Sequence, residues 1–202
     1  MSSQVQDISA SLAGTFSLLG ERVVNRLGFG AMRITGDGVW GPPRDRARAL
    51  AVLRRAVELG VNFIDTADSY GPSVSEELIA EALFPYPKDL VIATKGGWNR
   101  PGPNQWTHDA SPEHLRKAIE GSLKRLRVER IDLYQLHAPD PVTPFDASVE
   151  TLADLRPRQI EGRDDLNLGG RRRRALRRHA VRLHHNATGR AHVGAQVMMQ
   201  HG

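Results

Sequence analysis

The 202-residue sequence has no cysteine. That absence excludes disulfides and thiolate metal centres, and nothing points to an oxidising compartment. No apolar run comes near the roughly 18 residues of a membrane span. Met1–Gly14 lacks the charged start and apolar core of a secretory signal. The expectation is a soluble, cytoplasmic protein with no membrane partner. Aromatics are scarce at 5% of residues, and all 11 of them precede residue 156.

What is present divides in two. Residues 1–155 carry 17 Lys+Arg against 20 Asp+Glu, a balance of −3. Residues 156–202 carry 11 Arg, no Lys and 3 acids, a balance of +8. The net charge of +5 therefore does not describe either part. In the second part Ile, Leu, Val and Phe make up 8 of 47 residues, too few to bury a core, so residues 156–202 are expected to be a disordered basic tail.

The first part alternates strands with amphipathic helices. Thr15–Leu18 and Arg22–Asn25, flanking Leu19-Gly20-Glu21, predict a β-hairpin. Further strands are expected at Arg26–Gly30, Val61–Asp65, Leu90–Thr94 and Ile131–His137. Helices are expected from Asp45 to Leu59, over Glu76–Leu83 with Ser75 as its cap, from Ser111-Pro112 to about Leu126, and from Ala147 to Leu155. Mostly apolar strands separated by helices imply parallel, right-handed βαβ units. Either a doubly wound sheet or a (β/α)8 barrel fits. In both, chemistry lies beyond the C-terminal strand ends.

Those ends are polar: Asp65-Thr66-Ala67-Asp68-Ser69-Tyr70-Gly71, Thr94-Lys95-Gly96-Gly97 and Leu136-His137-Ala138. Taken singly, the Asp caps a turn, the Tyr packs, the Lys is solvated and the His is structural. Together at one end of three successive strands, they suit carbonyl chemistry. An ammonium beside a phenol lowers the phenol's pKa from about 10. A carboxylate holds the ammonium, and an imidazole hydrogen-bonds a carbonyl oxygen. No side chain donates hydride, so a nicotinamide cofactor is implied. Trp40, Trp98 and Trp106 are candidates either for a substrate pocket or for loop packing.

Residues 14–155 resemble the aldo/keto reductase family. The resemblance rests on Arg26-Leu27-Gly28-Phe29-Gly30-Ala31-Met32-Arg33, Gly60-Val61-Asn62-Phe63-Ile64-Asp65-Thr66-Ala67 with Tyr70-Gly71, Ala93-Thr94-Lys95 and Asp132-Leu133-Tyr134-Gln135-Leu136-His137. It implies a (β/α)8 TIM barrel and NADPH as cofactor, with an aldehyde or ketone as small-molecule substrate. It maps a catalytic tetrad onto Asp65, Tyr70, Lys95 and His137: Tyr70 is the general acid, Lys95 tunes it, Asp65 pairs with Lys95 and His137 orients the carbonyl. Gly30, Ala31, Met32 and Asp65 are the implied cofactor contacts, and the hairpin is the implied plug of the barrel bottom. Gly36–Pro43 and Arg44-Asp45-Arg46 are similar to a bacterial subgroup that includes pyridoxal reductases.

The family continues past the Leu155 position with a Gly-x-Ser-Asn strand and a basic loop that grips the adenosine phosphate, and neither motif stands in this sequence. Gly-x-Gly-x-x-Gly is absent too, in keeping with a barrel rather than a Rossmann fold. The resulting organisation is a flexible 1–13, the N-terminal half of a barrel over 14–155, and the basic tail. About 142 residues read as barrel, where a complete one takes about 250. Two alternatives to a working reductase follow. One is an inactive half-barrel, with no measurable turnover and weak NADPH affinity. The other is a module whose arginines bind nucleic acid phosphates, although the tail lacks the aromatics that stack on bases and no specific nucleic acid is expected. A shifted reading frame also accounts for the tail: GC-rich DNA encoding Val-Gly-Val-Asp-Glu reads Arg-Arg-Arg-Arg-Ala in another frame, the run found at Arg171–Ala175. His184-His185 has no cysteine or scaffold beside it, so no metal centre is expected.

Overall fold

A computed structural model describes residues 8–18, 22–155 and the backbone of 195–198. Its central sheet runs in the order β3 (Phe29–Gly30), β4 (Phe63–Asp65), β5 (Val91–Gly96), β8 (Leu133–Leu136) and β9 (Ala195–Met198). The first four strands are parallel and β9 runs antiparallel to β8. Four helices cover the sheet: α1 (Arg46–Glu58), α2 (Val74–Leu83), α3 (Pro112–Leu126) and α4 (Phe145–Asp154). This is the first half of a (β/α)8 barrel.

The two-residue period of a strand sorts the side chains. Ile64, Ile92, Tyr134 and Leu136 face the helices and pack with Leu53, Leu78, Ile79, Leu115 and Leu152. Phe63, Val91, Ala93 and Leu133 face the other way and pack against Leu18 and Val24 of the hairpin formed by β1 (Thr15–Leu18) and β2 (Arg22–Asn25). Continuing that inner face toward the C-terminal ends reaches Asp65, Lys95 and His137. The hairpin thus closes the opposite end. Hydrogen bonds from the Asn25 side chain to the Gly60 carbonyl (2.6 Å) and from the Arg22 guanidinium to Asp132 (2.9 Å) fasten it there.

Local signals explain most boundaries. The Asp45 carboxylate accepts from the Arg48 N–H at 2.9 Å and starts α1. Gly60 follows that helix with a φ of +84°, which a side chain rarely adopts. Ser111 caps α3 with Pro112 at its first turn. The strands β3 and β4 are shorter than expected, because Arg26–Gly28 and Val61–Asn62 lie outside the ladder, whereas β5 runs to Gly96, past the expected Thr94.

One expectation is corrected. Ser75 does not cap α2. The helix starts two residues earlier, after Ser73 (φ +71°), and Ser75 is wholly buried, its hydroxyl donating to the Ala31 carbonyl (3.1 Å) and pairing with Thr66 (2.8 Å). An unexpected hairpin, β6 (Trp98–Gly102) and β7 (Gln105–His108), follows β5 and turns at Asn104, whose φ is +56°. Within the segment 1–13, expected to be flexible, Ala10–Ala13 form a turn of 3-10 helix, and the Ala10 N–H donates to the Leu59 carbonyl at 2.7 Å. In the basic tail only 195–198 are described. They form a strand there because the edge of β8 offers unpaired N–H and C=O groups. The runs Arg171–Arg174 and His184-His185, and the turn at 19–21, lie outside the described residues.

Candidate active site

Parallel pairing brings the strand ends to one side. Gly30 sits beside Asp65 in register, Asp65 beside Ala93, and Lys95 beside Gln135. Lys95 lies two residues beyond Ala93 on the same face, which points it at Asp65. Its ammonium donates to the Asp65 carboxylate at 2.7 Å and to the Thr66 carbonyl at 2.8 Å. The lysine side chain is 12% exposed and the aspartate 37%, so this pair is well shielded on one partner and wet on the other.

Tyr70 and His137 complete the group. The Lys95 ammonium lies 5.1 Å from the centre of the Tyr70 ring. The rings of Tyr70 and His137 meet edge to face, 5.6 Å apart. The Ser69 hydroxyl lies 3.4 Å from the His137 Nδ1. All four residues singled out in the sequence therefore converge on one mouth.

Their ionisation follows from burial. His137 is pushed down to about 3 by burial, with the Lys95 charge adding to it, so the imidazole is neutral at pH 7. Burial lowers Lys95 while Asp65 opposes the shift. Tyr70 moves against expectation: burial, with Asp65 and Asp68 nearby, raises the phenol to about 12. Lys95 over the ring face does not reverse the cost of a buried phenolate.

The expected cofactor contacts separate into two kinds. Gly30 and Met32 are exposed at the mouth, and a Cβ on Gly30 would meet nothing within 4 Å. Ala31 is wholly buried in the core, its carbonyl held by Ser75. It supports the strand end from behind.

The structure adds residues the sequence did not single out. Asp68 has a buried carboxylate oxygen with no partner, and burial raises its acid to about 7. Behind it, Glu76 is wholly buried and accepts from Thr94 and from the Arg125 guanidinium, both at 2.6 Å. Arg100, on the hairpin, is 8% exposed and stacks 3.6 Å from the centre of Trp106. Trp98 lies edge to face with both Trp106 (5.8 Å) and His137 (6.3 Å), so Trp98 borders the site directly and Trp106 packs against Trp98. The signal for this hairpin was Pro101-Gly102-Pro103-Asn104 between Trp98 and Trp106.

Known proteins share this fold. The sequence profile of the Aldo/keto reductase family matches residues 26–160. An uncharacterized oxidoreductase of Schizosaccharomyces pombe is 56% identical over 149 residues, covering 74% of this chain and 48% of that protein. Pyridoxine 4-dehydrogenase of Escherichia coli is 45% identical over 153 residues, covering 74% and 53%. The structure of a glycerol dehydrogenase from Gluconobacter oxydans is similar with a TM-score of 0.63 and 37% identity, covering 71% of this chain and 45% of that one. The chain thus spans about half the length of the curated relatives it matches. On the profile match, the shared fold and the identity to these relatives, this chain belongs to the aldo/keto reductase family.

Proposed function

We propose that this site serves NADPH-dependent reduction of an aldehyde or ketone, with Tyr70 as proton donor. One observation carries the reading: a shielded Lys95–Asp65 pair lies beneath the Tyr70 ring, with a neutral His137 against its edge, at a single strand-end mouth.

The residues suit a nicotinamide. Gly30 leaves open space beside Asp65, Met32 offers an exposed thioether surface, and the donors are all proton donors with no hydride source among them. A bound nicotinamide nucleotide supplies the hydride. Neutral His137 hydrogen-bonds the carbonyl oxygen and orients it. Tyr70 then gives its proton to that oxygen as negative charge builds there. A phenol at about 12 still transfers downhill, since an alkoxide is about as basic as hydroxide, whose conjugate acid has a pKa of about 15.7. Lys95 stabilises the phenolate left behind, and Asp65 holds Lys95 in place. The carbonyl carbon gains hydride, the oxygen gains a proton, and an alcohol results. Resemblance to the family favours NADPH over NADH, and the similarity to pyridoxine 4-dehydrogenase makes pyridoxal the first substrate to assay.

A second reading concerns the 202-residue chain by itself. The described parallel strands number four, and eight close a barrel. Such a half-barrel is expected to bind NADPH weakly and to show no measurable turnover. The test is NADPH and NADH oxidation with pyridoxal or 4-nitrobenzaldehyde, for the chain and for Tyr70→Phe. Turnover lost in the variant supports the first reading for the chain alone. No turnover in either supports the second.

A further inference from the structure

Arg100 is a buried cation, 8% exposed, and among the described residues no carboxylate pairs with it. Burying a charge is costly unless its donors are met. Here they are met by neutral carbonyls from two loops and from the partner strand of the arginine's own hairpin. Nη1 donates to Val39 and to Ser69, each at 2.8 Å, Nη2 donates to Gly38 at 2.9 Å, and Nε donates to Gln105 at 2.9 Å. The guanidinium plane lies on Trp106. Gly38 and Val39 belong to the loop that leaves β3, and both have positive φ (69° and 55°). Ser69 belongs to the loop that carries Tyr70. One side chain therefore fastens the loops after β3 and β4 to the hairpin after β5.

Ser69 connects this clamp to the site. Its carbonyl is held by Arg100, and its hydroxyl lies 3.4 Å from His137 Nδ1. A neutral imidazole has one donor and one acceptor nitrogen, and the bond made at one sets the tautomer at the other. A hydroxyl donating to Nδ1 leaves the proton on Nε2.

We propose that Arg100 is a positioning residue: by fixing Ser69 it holds His137 as its Nε2–H tautomer, and by stacking on Trp106 it sets the tryptophan wall of the mouth. The inference rests on the carbonyl-reducing role given to His137 above. Lys95 is the charged group that acts on this imidazole, and Tyr70, Ser69 and Trp98 are its neutral neighbours.

The test uses the full chain and no cofactor. Ring nitrogen and carbon NMR shifts, assigned to His137 by comparison with His137→Gln, report the tautomer. Fluorescence excited to the red of tyrosine absorption reports Trp40, Trp98 and Trp106 alone, the chain's 3 tryptophans. The parent is expected to show the Nε2–H form only. Arg100→Lys cannot reproduce the planar fork and is expected to give a tautomer mixture and a red-shifted emission. Ser69→Ala is expected to give the mixture with parental emission. A folded Arg100→Lys that keeps both the single tautomer and the parental emission overturns the proposal. If Arg100→Lys does not fold, Ser69→Ala decides: a single Nε2–H form there overturns it, as does an Nδ1–H form in the parent. Neither readout needs turnover, so absent NADPH oxidation bears on the reductase reading and leaves this result standing.

Discussion

Asp68 and His137 are opposed in how they respond to protons. Asp68 is raised to about 7 from an ordinary 3.8, so between about pH 4 and pH 7 the folded chain keeps a proton the unfolded chain has released. Its stabilising contribution is present below pH 4 and is lost as pH rises through 7. His137 lies near 3 against an ordinary 6.5, so the unfolded chain binds the extra proton and stability falls as pH drops below about 6.5. Urea denaturation separates the two. Asp68→Asn is expected to be more stable than the parent by about 1–2 kcal/mol at pH 8, with the gain gone by pH 4. An unchanged difference at both pH values would show that Asp68 is not the titrating group. At the reacting centre, Tyr70→Phe removes the proposed proton donor. A loss of about 10²–10⁴ in kcat is expected in the active enzyme, with the fold retained by circular dichroism.

At the scale of elements, the sequence was readable wherever one residue dictates one backbone state. Asp45 and Ser111-Pro112 start their helices and Gly60 ends one, because capping oxygens, a fixed proline φ and a free glycine φ act locally. Ser75 misleads for the same reason. It has the chemistry of a cap, but its hydroxyl is taken by Thr66 and the Ala31 carbonyl across the core. Ser75→Ala is therefore expected to cost about 1–3 kcal/mol in chemical denaturation, more than a solvent-exposed cap of a short helix, because two buried partners lose a bond. A cost within a few tenths of a kcal/mol would contradict that role. The β6–β7 hairpin was missed although Pro101-Gly102-Pro103-Asn104 marks its turn, because Arg100 and the two prolines mask strand alternation. What makes that hairpin matter is Arg100 binding Gly38, Val39 and Ser69, and contacts 31 to 62 residues apart leave no local pattern.

At the scale of the molecule, Asp65, Tyr70, Lys95 and His137 were legible because parallel βαβ order sends every C-terminal strand end to one side. Their ionisation was not. The sequence places an ammonium near a phenol, but only the packed structure shows that burial outweighs it and raises Tyr70. The described parallel strands make half of a barrel and hold the proton-handling half of the proposed chemistry. The most direct measurement joins residues 1–155 to the C-terminal half of Escherichia coli pyridoxine 4-dehydrogenase, the relative 45% identical over the shared part, and follows NADPH oxidation with pyridoxal. The account predicts aldehyde-dependent oxidation that Tyr70→Phe abolishes in an equally folded protein. A folded chimera whose oxidation survives Tyr70→Phe, or that shows none at all, would contradict it.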